Sequence, residues 1–82
     1  MGRRLGQHFL THKAILERIA LAACPERQSL VIEIGPGRGS LTGHLLARAD
    51  QVVAIEADGS LVEYLAEKFA GAGHLPLIHA DV

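Results

Sequence analysis

Apolar positions along this chain change rhythm several times, and each change predicts an element. Ile15, Leu16, Ile19, Ala20 and Ala23 recur at helical spacing, with Thr11 placed to cap the segment and Pro25 to end it. Leu30 to Ile34 is a nearly continuous apolar run, rich in β-branched residues and closed by glycine, which reads as a buried parallel strand. Ser40 to Arg48 carries Leu41, Leu45 and Leu46 on one side and reads as a helix. Gln51 to Glu56 is a second buried strand. Asp58 can cap a third helix bearing Leu61, Val62, Leu65, Ala66 and Phe69, stopped by Gly71 and Gly73. Leu75 to Ala80 is a third strand, and Pro76 near its start suits a sheet edge, where a missing amide is best tolerated.

This alternation of helices and strands predicts an α/β fold with a parallel sheet and right-handed crossovers. If the strands lie in the order 3-2-1, the first would be central in a doubly wound sheet, with a fourth strand beside it. Its free edge is then a dimerisation liability, so self-association through that edge is expected. The 82 residues are expected to be part of a longer protein.

Composition narrows the function. Aromatics are only 4% of the chain, so the core is built from Leu, Ile, Val and Ala. The net charge of -1 argues against a general polyanion-binding domain; it leaves room for a local basic patch. Arg3, Arg4, Lys13 and Arg18 form the one basic cluster, readable as a phosphate contact with RNA or as a solvated terminus. The single cysteine, Cys24, has no intrachain partner, and the start MGRRLGQHFL has no long apolar stretch to serve as a signal peptide. No apolar run reaches the roughly 20 residues that span a bilayer. A cytoplasmic protein without a membrane segment is expected. No Cys, His, Asp and Glu set stands at metal-ligand spacing, and no metal is expected.

The stretch VIEIGPGRGSLT, residues 31–42, places Glu33 inside an apolar strand and follows it with Gly35, Gly37 and Gly39. Glycines after a strand let a ligand approach the backbone, with the amides of the next helix directed at it. Glu56 ends the second strand 21 residues after Gly35, close to the spacing of about 20 at which an acid accepts from ribose hydroxyls. The pairing points to a nucleoside-containing cofactor. The dinucleotide fingerprint is G-x-G-x-x-G/A, whereas this chain reads G-x-G-x-G, and Glu33 would repel a pyrophosphate. A carboxylate becomes favourable beside a cationic ligand such as S-adenosylmethionine, with Glu33 facing its methionine end; the plainer reading is an acid held by neighbouring amides or a basic side chain. Asp81, after the third strand, stands where it could accept from an adenine amino group or cap a helix.

In order and at matching intervals, L-G-Q-H-F-L (Leu5 to Leu10), E-I-G-P-G-R-G-S-L-T (Glu33 to Thr42), V-A-I-E-A-D (Val53 to Asp58) and H-A-D-V (His79 to Val82) resemble the amino-terminal part of the ribosomal RNA adenine dimethyltransferases. The resemblance spans essentially the whole chain, and the G-Q-x-F-L box is its specific part. It implies the amino-terminal half of a Rossmann-like, S-adenosylmethionine-dependent methyltransferase fold, with residues 1–10 as a basic arm carrying the box and 11–82 as a partial Rossmann-like unit. The implied reaction is dimethylation of adjacent adenines near the 3′ end of small-subunit ribosomal RNA, making that RNA or a pre-ribosomal small subunit the partner. Cofactor contacts are implied at His8, Leu10, Gly35, Glu56 and Asp81; the residue reading adds Glu33, Gly37 and Gly39. His8 stands where the family most often has asparagine, so a pH dependence is expected.

The resemblance also implies that the target adenine is held by an N-L-P-Y-type motif after a fourth strand, which these residues do not contain. The 82 residues alone are therefore expected to bind cofactor weakly or not at all, and to methylate nothing. Other readings stay open: a large-subunit RNA methyltransferase of the erythromycin-resistance type, a nicotinamide- or flavin-dependent oxidoreductase fragment, or a noncatalytic RNA-binding module.

Overall fold

The computed structural model describes residues 2–82, with side chains described from residue 12 onward. The order of elements is α1 (Gly2–Ala23), β1 (Val31–Ile34), α2 (Ser40–Leu46), β2 (Val52–Glu56), α3 (Gly59–Lys68) and β3 (Leu77–His79). The strands form one parallel sheet ordered β1-β2-β3, so the expected order and the edge position of the Pro76 strand both hold.

Two expected boundaries move. Helix α1 begins at Gly2 and runs through Thr11, which is therefore not its cap; no proline interrupts residues 2–23. Strand β3 is shorter than Leu75 to Ala80, although its pairing is not: Val52 N–H donates to the His74 carbonyl and Ala54 N–H to the Pro76 carbonyl, each at 3.0 Å, and Ala80 N–H donates to the Glu56 carbonyl at 3.1 Å. Proline lacks a donor, but its carbonyl still serves the ladder.

Parallel pairing puts register partners on the same side of the sheet, and partners are Val31 with Val52, Glu33 with Ala54, Ile34 with Ile55, and Ile55 with Ile78. The inner side thus carries Val31, Glu33, Val52, Ala54 and Glu56. Against it pack Ala20 and Cys24 of the α1 segment, Leu45 of α2 and Ala49, with Leu41, Leu46 and Leu75 around them. Cys24 is a fully buried small apolar residue. Leu65 of α3 is likewise buried, as its place in the Leu61, Leu65, Phe69 stripe requires.

The outer side is bare. Ile32 is 59% exposed, Ile34 64% and Ile78 44%, so β1 is not the buried strand its apolar run suggested. The run is apolar on both faces, but the described helices cover one of them. Helix α1 shows the same split: Ala20 is buried while Ile15 and Ile19 are exposed. No described helix is long and apolar enough to cross a membrane.

Candidate functional site

The loop between β1 and α2 is shaped by three glycines with positive φ: Gly35 at 68°, Gly37 at 60° and Gly39 at 84°. Gly35 N–H donates to the Ile55 carbonyl at 2.8 Å, continuing the β1-β2 ladder one residue into the loop. Gly39 N–H then donates back to the Pro36 carbonyl at 2.9 Å. With φ positive at Gly37 and not at Arg38, this turn has the sign pattern of type II′, which requires glycine at its first central position.

The glycines differ in what a side chain would meet. A Cβ on Gly35 or Gly37 would find nothing within 4 Å, so both leave open backbone at the carboxyl end of the sheet. A Cβ on Gly39 would stand 2.6 Å from Phe69 Cε2 and 2.8 Å from Leu65 Cδ2. The first two glycines leave the surface beside them clear, and the third lets α3 close against the loop.

Two carboxylates on the inner face of the sheet lie by this loop and are held in different ways. Glu56, 8% exposed, accepts from Gly37 N–H at 3.2 Å on Oε1 and from Asp58 N–H at 2.9 Å on Oε2. It ties the glycine loop to the start of α3. Each oxygen keeps a second lone pair, so both ribose hydroxyls of a nucleoside could add to this arrangement without displacing a backbone donor.

Glu33 accepts one hydrogen bond, from Thr42 Oγ1 at 2.5 Å, on Oε1. Burial pushes its carboxyl above the usual 4.5, and the Thr42 hydroxyl opposes that rise. Among the described residues the one ion pair is the exposed Arg27–Asp50 pair, so no described cation offsets the charge of Glu33. A half-buried acid in this state is stabilised in its charged form by a cationic ligand. Neither neighbouring amides nor a basic side chain supplies its described hydrogen bond.

Asp58 caps α3, accepting from Ser60 N–H at 2.9 Å and Ser60 Oγ at 2.7 Å. These bonds hold its carboxyl below the usual carboxylate range. Asp81 follows β3 past the register pair Glu56–His79 and is exposed. The sheet thus brings Glu33, Gly35, Gly37, Gly39, Glu56 and Asp81 to one rim. The side chains of His8 and Leu10 lie outside the described residues, as do those of Arg3 and Arg4; Lys13 and Arg18 are exposed.

Sequence reasoning missed the partners of these groups. Thr42, fully buried, was visible inside the glycine motif, yet only the fold shows it turned toward Glu33. His79 Nε2 meets the Ala57 carbonyl at 2.9 Å, and its ring packs on Gly59. Lys68 Nζ donates to the Arg38 carbonyl at 2.7 Å, a contact across 30 residues with no local signal.

The family model for ribosomal RNA adenine dimethylases matches residues 1–82. The chain belongs to that family. It is 49% identical over 78 residues to the ribosomal RNA small subunit methyltransferase A of Dehalococcoides mccartyi, a match covering 95% of this chain and 27% of that protein. Among solved structures, the 23S rRNA methyltransferase ErmE is similar with a TM-score of 0.74 and 38% identity, over 83% of this chain and 28% of that one. A dimethyladenosine transferase from Plasmodium falciparum has a TM-score of 0.72 and 29% identity, over 84% of this chain and 26% of its own. The chain therefore spans a little over a quarter of the length of these relatives. Its fold is the Rossmann-like methyltransferase fold of these structures, in a three-stranded part.

Proposed function

We propose that these residues form the cofactor site of a cytoplasmic S-adenosylmethionine-dependent enzyme that dimethylates adjacent adenines near the 3′ end of small-subunit ribosomal RNA. The observation that carries the reading is the pair of acids at the glycine loop: Glu56 held by two backbone amides yet able to accept more, and Glu33 half-buried on a single threonine hydroxyl without a described cation. A dinucleotide pyrophosphate meets repulsion at Glu33, whereas the ammonium of the methionine moiety is attracted there. The name of the D. mccartyi relative supports the small-subunit target.

In this reading Glu56 accepts from the ribose hydroxyls, and Glu33, oriented by Thr42, takes the cationic end. Gly35 and Gly37 leave the backbone free for close approach. Asp81 accepts from the adenine amino group, and His8 and Leu10 belong to the site by family resemblance. When bound, S-adenosylmethionine supplies an electrophilic methyl group on a sulfonium. By the same resemblance, the groups that position the target adenine belong to a segment not contained in these 82 residues. The exposed basic residues Lys13 and Arg18 favour contact with RNA phosphates, and β1, without a described neighbour on its outer edge, favours self-association.

Calorimetry on the complete gene product with S-adenosylhomocysteine and with NAD tests the cofactor. Binding of the first alone is expected, and binding of NAD alone would refute the reading. The similarity to ErmE makes large-subunit RNA the alternative substrate. Transfer of labelled methyl groups to undermethylated small subunits, with none to large-subunit RNA, is the expected result.

A further inference from the structure

Glycine loses more conformational freedom on folding than any other residue, so a loop built on Gly35, Gly37 and Gly39 keeps one shape only through contacts from outside it. Glu56 supplies one at Gly37 N–H. The Ile55 carbonyl of β2 holds Gly35 N–H, and further contacts come from the end of α3. Lys68 Nζ donates to the Arg38 carbonyl at 2.7 Å, while Gly39 N–H, on the other side of the same peptide, donates to the Pro36 carbonyl. Rotating the Arg38–Gly39 peptide would break both bonds.

The ammonium is itself placed by aromatic rings, 5.7 Å from the Tyr64 centroid and 5.5 Å from that of Phe69. The Arg38 guanidinium lies 5.1 Å from the same Tyr64 ring. Such distances are within cation–π range. Phe69 and Leu65 meanwhile press on Gly39 where a Cβ would stand. Consecutive loop residues, Arg38 by its carbonyl and Gly39 by its α-carbon, are thus gripped by one helix end, while the backbone of Gly35 and Gly37 stays open.

We propose that Lys68, seated by Tyr64 and Phe69, is a positioning residue: it holds the Arg38 carbonyl and so fixes the glycine turn in the form that receives S-adenosylmethionine. The proposal rests on the cofactor reading above. Lys68 is exposed at the end of α3, so K68M removes the ammonium and keeps the aliphatic stem without disturbing the core.

The test uses the complete gene product and its K68M and K68R variants. K68M is expected to weaken S-adenosylhomocysteine binding about three- to tenfold, the range for losing one hydrogen bond of ordinary net strength. The KM for S-adenosylmethionine should rise by a similar factor with kcat unchanged. K68R, which can still donate to the carbonyl, should bind within about twofold of the parent. Without ligand, amide exchange at Gly37 and Gly39 should quicken in K68M alone. Unchanged binding or unchanged exchange in K68M overturns the proposal, as does a parallel loss in K68R with a falling thermal midpoint. A parent protein that binds no S-adenosylhomocysteine overturns the cofactor reading and this proposal together, whereas a binding parent with an indifferent K68M overturns this one alone.

Discussion

Replacing Gly39 by alanine separates the two reasons for glycine in the loop. At φ 84° an L-residue costs about 1–2 kcal/mol in the left-handed region. The new Cβ would also stand 2.6 Å from Phe69 Cε2, 3.1 Å from Phe69 Cζ and 2.8 Å from Leu65 Cδ2. Leu65 is fully buried and cannot retreat, so relief must come from Phe69 or from the helix axis, an overpacking cost of about 1–3 kcal/mol. Gly39→Ala should therefore lose about 2–5 kcal/mol. Gly37→Ala isolates the backbone cost: its φ is 60° and its Cβ meets nothing within 4 Å, so what it loses comes from the turn conformation and not from packing. Urea unfolding of the complete gene product, compared at equal m-value, reads the difference. Adding Phe69→Leu to Gly39→Ala should recover part of the packing loss and none of the backbone loss. Should Phe69→Leu recover nothing in the Gly39→Ala background, the close approach of α3 to the loop is wrong.

Glu56→Gln should lower stability even without ligand, by about 1–3 kcal/mol, because one of the two backbone donors now bound by a carboxylate oxygen would face an NH2 group; equal unfolding midpoints for parent and variant would contradict this. Glu33→Gln should act oppositely on fold and ligand. Since burial raises the Glu33 carboxyl above 4.5, the folded state binds more protons than the unfolded one in that window, so the stability it contributes is full below 4.5 and lost as pH rises through the folded value. The variant should then gain on the parent in thermal midpoint as pH rises from 4.5, while its affinity for S-adenosylmethionine falls about tenfold or more, as expected on losing a hydrogen bond to a charged group. A midpoint difference that does not grow with pH would refute the desolvation argument.

The order of elements was legible because the first two strands are short β-branched runs and the first and third helices have recognisable stops at Pro25 and Gly71. The Asp58 cap was legible because capping is local chemistry. The end of α1 nearest Gly2 was not, since Thr11 offers cap chemistry that a continuing helix overrides. Burial of β1 was misjudged for another reason: Ile32 and Ile34 look like Val31 in sequence, and only the placement of the helices shows which face is covered. At the site, Glu33, the glycines and Glu56 announced themselves by spacing. The hydroxyl on Glu33 and the ammonium on Arg38 did not, because Thr42 and Lys68 are ordinary helix residues until the fold brings them to the loop.

The bare side of the sheet, with Ile32, Ile34 and Ile78 outward, has a thermal consequence. Attraction between apolar surfaces fades on cooling, so any greasy partner covering those isoleucines is gripped harder in warm solution than near freezing. The hydrogen bonds of the glycine loop do not share that trend, so chilling should loosen such a partner before it loosens the loop.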